Sequence, residues 1–281
     1  MSVPLLNGSG CLDALTAPGV AAQLDAFVTK TITPESREGN PPVRIAETEA
    51  GMLNSIGLQG PGIDAFLTET LPRLAAQRLR VWVSVGGFSA SDYADICERL
   101  DGRDDVDVVE LNLSCPNVDE APESAAEIVA ACRGRTKARL YAKLSPANSD
   151  IAESARAVVA AGADGLTLIN TLRGMALDPA TLKPKLARGF GGYSGPALKP
   201  VALACVSACA RAVNVPIVGL GGVQSGQDAL ELIAAGASVV SLGTILFTDP
   251  AAPGRIRAEL KSEATGRGHR DPLEVRGVAN S

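Results

Sequence analysis

The sequence predicts a (β/α)8 barrel, and three observations carry that expectation. Short apolar runs rich in Val, Ile or Leu recur along the chain. Each run is followed by an amphipathic, Ala-rich helical stretch. Eight such units in 281 residues take about 35 residues each, close to the roughly 250-residue barrel. A doubly wound parallel sheet is the alternative, because near-continuous apolar strands mark any parallel sheet buried on both faces.

The eight runs are VPLL (3–6), AFVTKTI (26–32), VWVSVGG (81–87), VDVVELNLS (106–114), RLYAKLS (139–145), GLTLIN (165–170), VPIVGLGG (215–222) and ASVVSLGT (237–244). SDIAESARAVVAAGA and SGQDALELIAAGA read as helices, and AAGADG and AAGAS repeat one grammar of helix, glycine at the C-cap, then strand. Two connections exceed plain βα loops, one from about 32 to 60 and one from about 171 to 198. In a barrel both would lie on the C-terminal face, where active sites sit. No linker divides the chain, so residues 1–281 read as a single domain. The polar tail from about 262 to 281 reads as loosely held.

Composition removes several functions. Hydrophobic residues make up 46% and charged residues 20%, which excludes a disordered chain. Aromatic residues are only 3% and the formal charge is -5, so the chain lacks the stacking platforms and basic stripe of a nucleic-acid binder. The N-terminus MSVPLLNGSGCLDAL has no basic segment before a long apolar run, and no stretch approaches the roughly 18–20 apolar residues of a membrane span. A reduced cytoplasmic setting is expected. The six cysteines form no Cys-x-x-Cys pair and no metal or cluster spacing. Cys205 and Cys209 fall on one helical face as small hydrophobes. With one histidine, His269, in the polar tail, a Ser-His-Asp triad is nearly excluded.

Polar residues end the apolar runs. Asn7, Ser9, Lys30, Ser84, Asn112, Lys143, Asn170, Gly221 and Gly243 all fall at or near strand C-termini. A lysine within VTKT or YAKL is costly to bury without a partner. It is read either as one half of a buried ion pair, or as a cation for an anionic ligand or a Schiff base. GLGGV (219–223) and SLGT (241–244) follow the last two strands, where barrels bind phosphate with backbone N–H groups. The helix N-terminus that follows would add positive potential. Cys115 follows a strand and precedes Pro116, with Asn112, Ser114 and Asn117 around it. Asparagine offers both donors and acceptors to an imide or amide ring, and a thiol of lowered pKa can act as a general base.

With these residues in place, the sequence resembles the class 1 dihydroorotate dehydrogenases over almost its whole length. VTKTIT, REGNPPVRIAET, GMLNSIGLQGPG, ELNLSCPNV, AKLSP, INTLRGM, GGYSGPALKPVAL, GLGGV and SLGT stand in the family's order. GLQGPG and NTLRGM look most like class 1B, the NAD-linked form with a separate electron-transfer subunit.

The resemblance implies an FMN enzyme of pyrimidine biosynthesis that converts dihydroorotate to orotate. Cys115 would be the general base at C5, with hydride leaving C6 for the flavin. Lys30, Asn54, Asn112, Asn117, Asn170 and Thr171 would hold the substrate. Ser9, Lys30, Thr31, Ser84, Asn112, Lys143, Ile169, Gly195, Gly221, Gly222, Gly243 and Thr244 would form the FMN site. Of these, Gly221, Gly222, Gly243 and Thr244 would lie at its phosphate, and Lys143 would stabilise the reduced flavin.

Ser84 stands where the family usually has Asn, and the Gly- and Phe-containing loop that usually follows CPNV is absent. The resemblance further implies a homodimer and a second subunit carrying FAD and an iron–sulphur cluster. Alternatives are an FMN enzyme acting on another dihydropyrimidine or cyclic amide, electron transfer to fumarate, a flavin-free Schiff-base barrel using Lys143, and a non-catalytic barrel.

Overall fold

A computed structural model describes residues 3–113 and 124–281. Cys115, Asn117 and the stretch after Val118 lie outside the described residues. Eight parallel strands stand where the apolar runs placed them. They are β1 (Leu5–Asn7), β2 (Phe27–Val28), β3 (Val81–Val85), β4 (Val108–Asn112), β5 (Leu140–Leu144), β6 (Gly165–Leu168), β7 (Ile217–Leu220) and β8 (Val239–Leu242). Their order is β1-β8-β7-β6-β5-β4-β3-β2, and a bridge between Leu6 and Ala26 returns β2 to β1. The sheet therefore closes into a (β/α)8 barrel, not the open doubly wound alternative.

Burial on both faces explains the near-continuous apolar runs. Every residue of β3, β5 and β6 is buried. One set of side chains, including Leu6, Ala26, Val28, Trp82, Val108, Tyr141 and Val218, packs together inside the barrel. Most of the rest packs under the helices, where Cys205 and Cys209 are both buried.

The helices start at local capping signals. Ser89, Asp150 and Ser225 each accept a backbone N–H three residues on, for Ala90–Leu100, Ile151–Ala160 and Gly226–Ala235. Ser124 and Glu127 form a capping box for Ala125–Arg133. Gly236 is the C-cap expected from AAGAS. In AAGADG the cap is Ala161, one residue before Gly162.

One expectation is sharpened and one is corrected. The long connections do exceed plain βα loops, as expected, and they carry strands. Ile45–Thr48, Gly51–Asn54, Gly191–Ser194 and Leu172–Gly174 pair in that order as an antiparallel four-stranded sheet. Both connections thus meet in one side sheet, with Tyr193 opposite Leu53 on one edge and Leu172 on the other. The stretch from 262 onward also differs from a loosely held tail. Helix Ala252–Gly266 runs into it, and two short 3-10 turns follow. Asn280 closes it against the barrel helices, donating to the Ala235 carbonyl at 2.9 Å and accepting from Ser207 at 2.6 Å. Among the described residues, no helix is long and apolar enough to cross a membrane.

Candidate active site

A cleft of about 290 Å³ opens at the C-terminal ends of the barrel strands, beneath the side sheet. Its walls bring together fourteen of the sequence-derived site residues: Ser9, Lys30, Thr31, Asn54, Asn112, Lys143, Ile169, Asn170, Thr171, Gly195, Gly221, Gly222, Gly243 and Thr244. Ser84 is not on the wall. It is fully buried and its hydroxyl meets Thr31 Oγ1 at 3.1 Å. Cys115 and Asn117 fall outside the described residues.

The polar wall is a chain of hydrogen bonds across neighbouring strand ends. Asn170 Nδ2 donates to Asn112 Oδ1 at 3.0 Å, and Asn112 Nδ2 donates to Thr31 Oγ1 at 3.2 Å. Thr31 also meets Ser9 Oγ at 3.3 Å, and Ser9 donates to the Thr29 carbonyl at 2.8 Å. Asn170 Oδ1 accepts the Thr171 N–H at 2.8 Å. Both amide oxygens are thereby engaged by the protein. Side-chain amides at a cleft wall suit the carbonyl, imide or carboxylate groups of a polar ring.

Lys143 leaves β5 inside the barrel and reaches the cleft wall from below. Its Nζ lies 3.4 Å from Glu110 Oε1, and both side chains are almost wholly buried, at 6% and 3% exposure. The ion-pair reading of this lysine is what the structure shows, and Lys143 also lines the cleft. Lys30 lines it from the end of β2, its side chain lying against Gly10.

Glycines shape the end of the cleft beneath β7 and β8. Gly221 and Gly222 have φ of +132° and +77°. A Cβ on Gly221 would sit 2.9 Å from Ala202 Cβ, and one on Gly222 would sit 2.7 Å from the Lys199 backbone nitrogen. Only glycine fits both the backbone angle and the space. Gly243 is different. A Cβ there meets nothing nearer than Leu220 at 3.7 Å, so its bare backbone leaves room on the cleft side. A concave glycine-lined end of this kind fits the phosphate of a mononucleotide, and the longer amide- and lysine-lined part fits a flat polar ring.

The helix after β7 does not face that end with a free N-terminus, contrary to the expectation. Asp228 accepts from the N–H groups of Gln224 and Ser225, and Glu259 accepts from Gly226. Burial alone would raise the Asp228 carboxyl. The Lys199 ammonium at 2.6 Å and these N–H donors instead hold it below the usual carboxylate range. The short 3-10 turns Thr244–Phe247 and Pro196–Leu198 border the cleft instead, through Thr244, Phe247 and Leu198.

Sequence reading missed Cys11, Gly8 and Gly10 on the wall. NGSGC follows the first strand as the other polar turns follow theirs, so the signal was present. Burial raises the Cys11 thiol, while Lys143 and Lys30 pull it back and Glu110 adds to the rise. The side-sheet contributors Ile45, Met52, Gly192 and Ser194 were also missed. They could not be placed without the pairing that brings them in.

Comparison with known proteins agrees with this geometry. A family model described as dihydroorotate dehydrogenase matches residues 1–263. The chain belongs to the dihydroorotate dehydrogenase family. It is 46% identical over 263 residues to a protein of Trichlorobacter lovleyi named dihydroorotate dehydrogenase B (NAD(+)), catalytic subunit, covering 91% of this chain and 86% of that protein. Proteins of the same name from Pelobacter propionicus and Listeria monocytogenes are 46% and 44% identical, covering 92% and 88% of this chain and 84% of each relative. The class 1B resemblance is thus borne out, and this dihydroorotate dehydrogenase family is FMN-dependent. A crystal structure of the Eimeria tenella dihydroorotate dehydrogenase in complex with ferulenol superposes with a TM-score of 0.82 at 23% identity, covering 98% of this chain and 85% of that one. That likeness speaks to the fold.

Proposed function

We infer that this chain is the catalytic subunit of an NAD-linked, FMN-dependent dihydroorotate dehydrogenase, oxidising (S)-dihydroorotate to orotate in pyrimidine biosynthesis. The observation that carries the reading is the convergence of fourteen sequence-derived site residues on one cleft. Bound FMN supplies a two-electron acceptor for the hydride from C6. The chain's own residues do the rest.

Cys115 takes the C5 proton, a role that rests on its place in the SCPN motif. Asn112 and Asn170, tied to each other and to neighbouring strand ends, hold the ring and carboxylate of the substrate. Asn54, Asn117 and Thr171 complete the ring contacts, and Lys30 opposes the substrate's negative charge. Donors fixed before the substrate arrives need no reorganisation as charge develops. The FMN phosphate is assigned to Gly221, Gly222, Gly243 and Thr244. Lys143 is assigned to the flavin ring and Ser9, Thr31, Ile169 and Gly195 to its surroundings. Ser84 acts through Thr31.

The printed name of the relatives, catalytic subunit, supports a separate electron-transfer partner, proposed to carry FAD and an iron–sulphur cluster. Among the described residues, no group of His, Cys, Asp and Glu could hold a metal. A homodimeric core and a cytoplasmic location are proposed with it.

The test is an anaerobic absorbance titration of the FMN-loaded chain with dihydroorotate. The visible flavin band is expected to bleach. A yellow protein that stays yellow with dihydroorotate but bleaches with an uncarboxylated dihydropyrimidine would reassign the substrate. Cys115→Ala is expected to keep the flavin and slow its bleaching by roughly 10²–10⁴-fold, the scale of general acid–base catalysis. An unchanged rate would remove Cys115 from the mechanism.

A further inference from the structure

Among the described residues, Glu110 and Lys143 are the only charged side chains that are buried, and they are paired with each other. They stand on neighbouring strands of the barrel interior. In register, Glu110 of β4 lies opposite Tyr141 of β5, and Asn112 lies opposite Lys143. Because side chains alternate along a strand, Glu110 and Asn112 share the inward face. Glu110 sits one step deeper, below the cleft. Lys143 spans the two levels, lining the cleft while its ammonium contacts the carboxylate beneath.

Such a pair is poor economy for stability alone. Taking two charges out of water costs several kcal/mol per ion, and apolar replacements of a buried pair are often neutral or stabilising. The carboxylate directly below holds the lysine head from the inner side. We propose that Glu110 is the positioning residue for Lys143, holding its ammonium in place from below so that the cleft presents a fixed cation to the ring of a bound flavin. The proposal rests on the flavin reading of the cleft.

Two neighbouring observations fit it. Cys11, on the cleft wall, feels Lys143, Lys30 and Glu110, so these charges act at one end of the cleft. In addition, Ser84 of β3 lies opposite Glu110 and Thr167 of β6 lies opposite Lys143; both are buried and neither carries a charge. The cation therefore has one anionic support among the described residues around it.

The experiment compares FMN-loaded wild type, Glu110→Gln, Lys143→Gln and the double variant. Two quantities are read: the FMN dissociation constant by fluorescence of released flavin, and the flavin midpoint potential by anaerobic dye titration. Glu110→Gln is expected to mimic Lys143→Gln, lowering the potential and raising the dissociation constant roughly tenfold or more. The double variant is expected to be no worse than either single. An unchanged potential, additive losses, or a potential that rises when Glu110 is neutralised would overturn the proposal. The last result would mean that the carboxylate merely opposes flavin reduction. Should Glu110→Gln fail to fold, Glu110→Asp keeps the charge but draws it back by one methylene. It is expected to lower the potential by less, and an unchanged value would count against the role. Wild type that never binds FMN would instead sink the functional reading beneath it.

Discussion

The lower and upper halves of the barrel interior are built from the same strands and do opposite things. Two residues separate them along each strand. On β3, Trp82 is below and Ser84 above; on β4, Val108 is followed by Glu110 and Asn112; on β5, Tyr141 is followed by Lys143. The lower set packs as an apolar plug. The upper set is polar and hydrogen-bonded, and Asn112 and Lys143 of it line the cleft. One alternation therefore carries both jobs. The inward face is apolar where it needs only to fill space, and polar where a ligand can repay the cost of burying polar groups.

The largest effect is expected at the bottom. Trp82 and Tyr141 have ring centroids 4.8 Å apart inside the plug. Trp82→Ala should cost about 3–5 kcal/mol of stability by leaving a cavity. Folded molecules of this variant should still bind FMN with affinity close to wild type. Urea unfolding with flavin fluorescence as a second probe separates the two. A loss of flavin affinity with little loss of stability would break the division of labour.

At the top the order should reverse. Asn112→Ala removes both the donor to Thr31 and the acceptor for Asn170. Its expected signature is about a 10–100-fold weaker affinity for orotate, the product, from lost hydrogen bonds to a charged ligand. The urea midpoint should move little. A variant that binds orotate normally would mean that the asparagine chain serves only to tie strand ends together.

These two halves were not equally legible beforehand. The plug residues lie in long Val- and Ile-rich runs, so VWVSV and LYAKL revealed the barrel strands directly. The polar residues at the ends of those runs could be picked out for the same reason, since each interrupts an apolar pattern. Glu110 breaks the run VVELN in the same way, yet its partner could not be named, because pairing across strands needs the register. The side sheet was hidden more deeply. Its strands IAET, GMLN, LRG and GGYS are three or four residues long and rich in glycine or polar residues. Their pairing joins segments more than a hundred residues apart, as Asn54 does with Gly192. No local periodicity records that. Ser84 shows a third kind of limit. Its place at a strand end was clear, but only packing reveals that Thr31 stands between it and the cleft.

Ser84→Ala sharpens that last point and should have a smaller effect. It deletes one buried hydroxyl from Thr31 and leaves the cleft wall intact. The expected cost is about 1 kcal/mol in stability, with an FMN affinity reduced only a few-fold. If Ser84 acts through Thr31, combining it with Thr31→Val should add little further loss of affinity. Independent, additive losses would place Ser84 in direct contact with the flavin.

The smallest effect is expected outside the barrel, where Asp228 braces the turn after β7. Lys199 and the Gln224 and Ser225 N–H groups hold its carboxyl below the ordinary value despite burial. A carboxyl depressed in the folded state contributes stability that is complete above its unfolded value, about 4. That contribution fades as pH falls through the lower folded value. Asp228→Asn should therefore cost about 1 kcal/mol near neutral pH, the scale of a lost helix cap. Wild type and variant should converge in urea midpoint as the pH is taken below about 4. Because Asp228 touches the glycine turn only through Lys199 and its own loop, FMN affinity at neutral pH should change less than in Ser84→Ala. A larger loss of affinity than of stability would show that the outer brace, and not the glycine backbone alone, sets the shape of the phosphate end.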